Sequence, residues 1–78
     1  MERDKVVKLV NDAILEVICL TPDKYTQETT FEELKADSLD VVKLAMYIED
    51  CIGKDIQDVD LKTIKTVGDL VTFLEQHY

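Results

Sequence analysis

The sequence predicts an all-α protein, a small four-helix bundle of three longer helices and one short helix, with a long loop between the first and second helices. Apolar residues recur at the three- and four-residue spacing of an α-helix in three segments, and residues that start or stop helices flank each segment. The chain has 78 residues, and folding units rarely contain fewer than about 50. We therefore expect one domain, residues 1–78.

The first helix is predicted from about Arg3 to Cys19. Thr21 and Pro22 end it, because proline lacks a backbone donor and disfavours helical geometry in the residue before it. The apolar stripe of this helix has the spacing of one helical face and consists of Val6, Val7, Val10, Ala13, Ile14, Val17 and Ile18.

The long loop follows, over residues 20–37, and shows no sustained apolar period. A connection of this length is unusual in a compact domain, so side chains must anchor it. The candidate anchors are Tyr25, Phe31 and Leu34. Residues 30–33 have the pattern of a capping box, which predicts one short helical turn within the loop.

The second long helix is predicted to start at Asp37 or Ser38 and to end near Ile52, with Gly53 as a left-handed cap. Projection at about 100° per residue gives this helix two apolar arcs. The wide arc contains Val41, Leu44, Ala45, Ile48 and Ile52, and the second arc contains Leu39, Val42 and Met46. The second arc is either buried in the bundle or exposed as a docking strip beside Ser38, and we expect at least partial exposure.

Two more helices are predicted after Gly53. An acidic stretch over residues 55–60 has a loop-like composition and precedes a short helix over residues 61–64. The final helix begins at a capping box of Thr66 and Asp69. Its apolar stripe consists of Val67, Leu70, Val71 and Leu74.

The charge of the chain excludes some partners and favours others. Seventeen acidic and nine basic side chains give a net charge of −8, which disfavours nucleic acid and anionic membranes. Residues 25–60 carry 10 acidic and 3 basic side chains, or −7. Such concentration favours a basic partner, although a solvated acidic face is the alternative. No apolar run approaches the ~20 residues of a membrane span, and no signal peptide is recognisable at the first residues, so we expect a cytoplasmic protein. We also expect a monomer.

The cysteines and the histidine do not indicate an active site or a metal centre. Cys19 and Cys51 do not form a C-x-x-C pair, so we expect two reduced thiols with packing roles. His77 is the only histidine and the penultimate residue, where we expect the chain to fray. The stretch that starts at Asp55 lacks the oxygen ligands of a calcium loop at the required positions.

Ser38 taken alone is typical of a helix N-cap. The run Ala36-Asp37-Ser38-Leu39-Asp40, however, resembles the Asp-Ser-Leu signature of acyl carrier proteins, in which the serine receives a 4′-phosphopantetheine arm. The resemblance spans almost the whole chain. It includes the first helix, the Phe31-Glu32-Glu33-Leu34 stretch before the serine and the Thr66-Val67-Gly68-Asp69 start of the last helix.

The resemblance implies a non-catalytic carrier, in which Ser38 holds the arm covalently with Asp37 and Leu39 beside it. The thiol of the arm would carry acyl intermediates of fatty-acid, specialised lipid or polyketide synthesis as thioesters. A phosphopantetheinyl transferase would supply the arm from coenzyme A, and acyl-transfer and synthase enzymes with basic docking patches would be further partners. The expected partner-binding residues are Asp40, Val42, Lys43, Met46, Glu49, Asp50, Ile56 and Lys62.

Two alternatives to an acyl carrier stay open: an aminoacyl or peptidyl carrier, and an interaction subunit that has the same fold without the arm. Some positions also depart from the pattern of the well-studied fatty-acid carriers. Lys35 stands where glycine is common, Lys43 replaces a usual acidic residue, and Val59 and Lys62 occupy positions that are often acidic. Because partner enzymes of the family are thought to recognise those acidic positions, the departures predict a specialised set of partners.

Overall fold

The computed structural model describes residues 2–56 and 63–78, and these residues contain three α-helices. They are α1 Arg3–Ile18, α2 Ser38–Ile52 and α3 Val67–His77, and a 3₁₀ turn, Pro22–Lys24, lies in the loop between α1 and α2. This arrangement confirms the predicted all-helical bundle with a long first loop. The first two residues of the short helix predicted over residues 61–64 lie outside the described residues, as does Val59, and the last two, Thr63 and Ile64, are not helical.

Local capping signals account for the ends of the helices. α1 ends at Ile18 because Cys19 adopts a left-handed φ of 64° and donates its amide hydrogen to the carbonyls of Ile14 and Leu15. Gly53 ends α2 in the same conformation, with φ of 70°. The Thr66 hydroxyl accepts the amide hydrogen of Asp69 at 3.0 Å, so the predicted capping box of α3 is confirmed.

The predicted apolar stripes meet in one core, with α1 packed against both α2 and α3. The buried helical residues are Val6, Val10, Ala13 and Ile14 of α1, Leu44, Ala45 and Ile48 of α2, and Val67, Leu70, Val71 and Leu74 of α3. Of the predicted loop anchors, Phe31 is buried, and Tyr25 and Leu34 pack partly buried against the same core. Burial of these stripes is the main favourable contribution to folding.

The middle of the long loop is held against the start of α3 by a short antiparallel pairing of Thr30 with Thr66. Three backbone hydrogen bonds join the two segments, from the amides of Phe31, Val67 and Gly68 to the carbonyls of Lys65 (2.9 Å), Thr29 (3.0 Å) and Gln27 (2.8 Å). A Cβ at Gly68 would lie 2.8 Å from the Gln27 carbonyl oxygen. Only glycine therefore allows the loop to approach α3 this closely.

Tyr25 ties the first half of the loop to α1. Its hydroxyl donates a hydrogen bond to Asn11 Oδ1 at 2.7 Å. Burial, and then the carboxylate of Asp12, raises the pKa of Tyr25 above its ordinary value. The hydroxyl therefore keeps the proton that it donates throughout the neutral pH range.

A single helical turn over residues 31–35 leads into α2. The Thr30 hydroxyl accepts the Glu33 amide hydrogen at 3.0 Å, and the Glu33 carboxylate accepts the Thr30 amide hydrogen at 3.3 Å, which confirms the predicted capping box. The turn closes when the Ala36 amide donates to the Phe31 carbonyl at 2.9 Å. This closure places Lys35 at a left-handed φ of 61°.

Replacing Lys35 with glycine should stabilise the protein by about 0.5–1 kcal/mol, because a Cβ is disfavoured in the left-handed region and the gain exceeds the added flexibility of the unfolded chain. Urea unfolding of the two proteins measures this difference. Lys35→Ala is the matched control, since it removes the ammonium group and keeps the Cβ. An equal gain from Lys35→Ala would show that charge, and not backbone strain, sets the effect.

Three expectations about termini and thiols are wrong. Cys19 and Cys51 are both exposed: Cys19 caps α1 outside its apolar stripe, and Cys51 lies near the end of α2 at the edge of the wide arc. His77 does not fray but is the last residue of α3, with its ring centroid 4.6 Å from that of Phe73. The Tyr78 hydroxyl donates to the Asp55 carbonyl at 2.7 Å and holds this end of α3 in place.

Candidate functional site

Ser38 is the first residue of α2, and its side chain is exposed. The N-cap is Asp37: its Oδ1 accepts the Asp40 amide hydrogen at 3.0 Å, and Asp40 Oδ2 accepts the Asp37 amide hydrogen at 3.4 Å. The Ser38 hydroxyl therefore has no capping role, and it makes no hydrogen bond with any described residue. An exposed hydroxyl without an internal partner is free to form an ester.

The backbone at the start of α2 offers donors to an anion. The first amides of a helix lack carbonyl partners within it, and those of Ser38 and Leu39 have no acceptor among the described residues. The helix dipole adds a partial positive charge at this end. A phosphodiester on the Ser38 oxygen would thus lie beside free donors, while the carboxylates of Asp37 and Asp40 are engaged in the capping box.

An exposed apolar surface lies along α2 on the turns that follow Ser38. Its members are Leu39, Val42 and Met46, which are 62%, 37% and 57% exposed, and we call them the α2 strip. The prediction that this arc is at least partly exposed is confirmed. Leu15 on α1 is the other large apolar side chain that is exposed in the described ranges, and its position opposite the apolar stripe of α1 is the sequence signal that would have indicated it.

The polar residues predicted around the α2 strip have different environments. Lys43 and Asp50 are exposed, and Asp40 is half-buried. Glu49 is also half-buried, and its Oε2 accepts the amide hydrogen of Ile56 at 3.2 Å, so this carboxylate holds the chain that leaves α2.

Ile56 itself corrects an expectation, because its side chain is 6% exposed and belongs to the core. It is therefore not part of a docking surface. Its sequence neighbours are polar, and the bond from its amide to Glu49 holds this segment against the end of α2. Lys62 lies outside the described residues.

A shallow groove of about 170 Å³ lies on another part of the surface. α1, the long loop and α3 line it, through residues that include Val7, Tyr25 and Val71. Within residues 2–56 and 63–78, no three His, Cys, Asp or Glu side chains form a cluster suited to a metal ion. No helix in those ranges is long and apolar enough to cross a bilayer.

Comparison with known proteins relates this geometry to one family. Residues 8–74 match the family model described as phosphopantetheine attachment site. Over 78 residues, the chain is 35% identical to the acyl carrier protein of Lactobacillus johnsonii and 33% identical to that of Lactobacillus acidophilus, covering 99% of this chain and 98% of each relative. The crystal structure of an acyl carrier protein from Thermotoga maritima superposes with a TM-score of 0.81 at 32% identity, over 97% of this chain and 89% of that one.

Proposed function

The chain belongs to the acyl carrier protein family, and we propose that Ser38 is the residue that holds its 4′-phosphopantetheine arm. A member of this family is a non-catalytic carrier with a covalently attached arm. The arm supplies a thiol that holds an acyl group as a thioester. The protein contributes the attachment point and the surface that its partner enzymes bind.

The assignment of Ser38 rests on the different roles of two neighbouring residues at the start of α2: Asp37 caps the helix, and Ser38 does not. Asp37 caps the helix through its side chain, so an ester on the neighbouring Ser38 removes no hydrogen bond among the residues that the structure describes. The exposed hydroxyl also leaves room for a transferase to approach. Ser38 can therefore be modified in the folded protein at little cost in stability.

Loading the protein in vitro tests the assignment. Incubation with coenzyme A and a phosphopantetheinyl transferase should add one group of about 340 Da. Fragmentation of the product should locate that mass on Ser38. A single group found on any other residue would contradict the proposal.

Synthase enzymes and a phosphopantetheinyl transferase are the partners that family membership implies. We propose that they dock on the α2 strip, whose exposed apolar centre has polar neighbours in Asp40, Lys43 and Asp50. An apolar centre with a charged rim is typical of protein interfaces. Basic patches on enzymes of fatty-acid, specialised lipid or polyketide synthesis would complement the net charge of −8. No observation favours an aminoacyl carrier or an arm-less subunit.

A reducing compartment suits the two exposed free cysteines, Cys19 and Cys51, since exposed thiols persist there without forming disulfides. We therefore retain a cytoplasmic location as part of this proposal. We also retain a monomer, which the high charge favours through repulsion between copies.

Lys43 should make the chain a poor substrate for enzymes of general fatty-acid synthesis. Its ammonium group is exposed on α2 where it would face a basic patch, and a like charge at an interface disfavours binding. Lys43→Glu should raise kcat/KM with a standard fatty-acid ketosynthase about two- to fivefold, the range of a surface charge effect, and added salt should shrink the gain.

Lys8→Glu is the matched control for Lys43→Glu, because Lys8 is an exposed lysine on α1 and its substitution changes the net charge equally. The ketosynthase should barely respond to it. Equal gains from the two substitutions would show that total charge, and not the position of Lys43, governs the encounter.

A further inference from the structure

Lys35 lies three residues before Ser38 and has an unfavourable backbone conformation for its residue type. Its φ of 61° lies in the left-handed region, where a Cβ is disfavoured and glycine is not. The turn that the Ala36 amide closes on the Phe31 carbonyl holds Lys35 in this conformation. The chain thus has a lysine where glycine would be unstrained, and this lysine brings a cationic side chain close to Ser38 in sequence.

The ammonium group of Lys35 is exposed and unpaired within the described parts of the chain. The ion pairs found there are Arg3 with Glu75 and Lys24 with Asp23. Asp37 and Asp40, the nearest acidic residues along the sequence, form no ion pair with Lys35 and accept the amide hydrogens of the capping box. Lys35 thus contributes a free cation just before the attachment helix.

We propose that Lys35 binds the phosphodiester of the arm, an inference that rests on the proposed attachment at Ser38. The Cα atoms of the two residues are at most about 11 Å apart, because consecutive Cα atoms are separated by about 3.8 Å. The flexible stem of lysine covers much of that distance, and the phosphodiester is bonded directly to the seryl oxygen. The carboxylates of Asp37 and Asp40 repel an anion added beside them, and the Lys35 cation would offset part of that repulsion.

Thermal unfolding of unmodified and arm-bearing protein tests this binding at two salt concentrations. Lys35→Gln removes the charge but keeps the Cβ, so backbone strain cancels between the two forms. The change in Tm on modification should be about 1–4 °C more favourable in wild type than in Lys35→Gln. About 0.5 M salt should reduce that difference, and Lys35→Arg should behave as wild type.

Lys8→Gln serves as the control, because Lys8 is an exposed lysine on α1 and lies outside the proposed docking surface. It should give the same change in Tm on modification as wild type. The phosphorus NMR resonance of the phosphodiester provides a second measurement that does not depend on unfolding. It should move in Lys35→Gln and stay in place in Lys8→Gln.

Equal changes in Tm for wild type and Lys35→Gln, with an unmoved phosphorus resonance, would overturn the proposal. So would slower modification of Lys35→Gln by the transferase with neither physical readout altered, since Lys35 would then contact the enzyme. Before unfolding, fragmentation of each modified protein establishes whether the added group is on Ser38. A failure of the attachment assignment would therefore be recognised separately, before any Tm is compared.

Discussion

Ser38→Ala is expected to abolish attachment of the arm, so that the mass gain of about 340 Da disappears completely. Ser38 is the only serine of the chain, and its hydroxyl is free and exposed at the start of α2. The hydroxyls of Thr30 and Thr66 are engaged as caps of other turns. The measurement is the intact mass after incubation with coenzyme A and a phosphopantetheinyl transferase.

The substitution should leave the fold intact, because Asp37 provides the cap of α2 and the Ser38 hydroxyl bonds to none of residues 2–56 and 63–78. We expect a change in unfolding free energy within about 0.5 kcal/mol. Thr72→Ala removes an exposed hydroxyl on α3 and should be loaded like wild type. Modification of Ser38→Ala at the wild-type rate would disprove the site.

Leu44→Ala should lower the stability of the protein, whereas Met46→Ala should lower its turnover by a partner enzyme, although the two residues are only two positions apart on α2. Leu44 is 1% exposed, so its truncation leaves a cavity and should cost about 2–5 kcal/mol of unfolding free energy. Met46 belongs to the α2 strip and should cost less than about 1 kcal/mol. Met46→Ala should instead lower kcat/KM with a partner synthase, because it removes apolar area from the docking surface.

Urea unfolding measures the loss of stability, and synthase kinetics measure the loss of turnover. Both are measured on wild type, Leu44→Ala and Met46→Ala. Val42→Ala, which truncates a second member of the α2 strip, should behave like Met46→Ala. A loss of several kcal/mol in either strip variant would mean that the strip belongs to the core. Unchanged synthase kinetics in both would remove the α2 strip from the docking surface.

The helices could be predicted closely from the sequence because their signals are local. α2 begins and ends where the motif and Gly53 indicated, since capping depends on residues within one turn. The choice between Asp37 and Ser38 as N-cap could not be made from the sequence, because both side chains suit the role. Only the geometry assigns the cap to Asp37 and thereby leaves Ser38 free.

The errors concern residues whose environment depends on distant parts of the chain. His77 was expected to fray, but Tyr78 bonds to Asp55, 23 positions away, and no local pattern contains that contact. Ile56 was expected among the partner-binding residues, whereas its side chain is buried in the core and its amide donates to Glu49, seven positions away. The burial expected of Cys51 followed the general tendency of cysteine and not its place on α2.

The pairing of the long loop with the start of α3 bears on how the domain opens. Because Thr30 pairs with Thr66, the loop between α1 and α2 is fixed near its middle. Each half of the loop therefore has less conformational freedom than one long connection. The turn that precedes Ser38 cannot detach from α3 without breaking these backbone bonds and exposing Phe31. Local opening of the turn before Ser38 is thereby coupled to release of the start of α3, so we expect this turn and α3 to open as one cooperative unit.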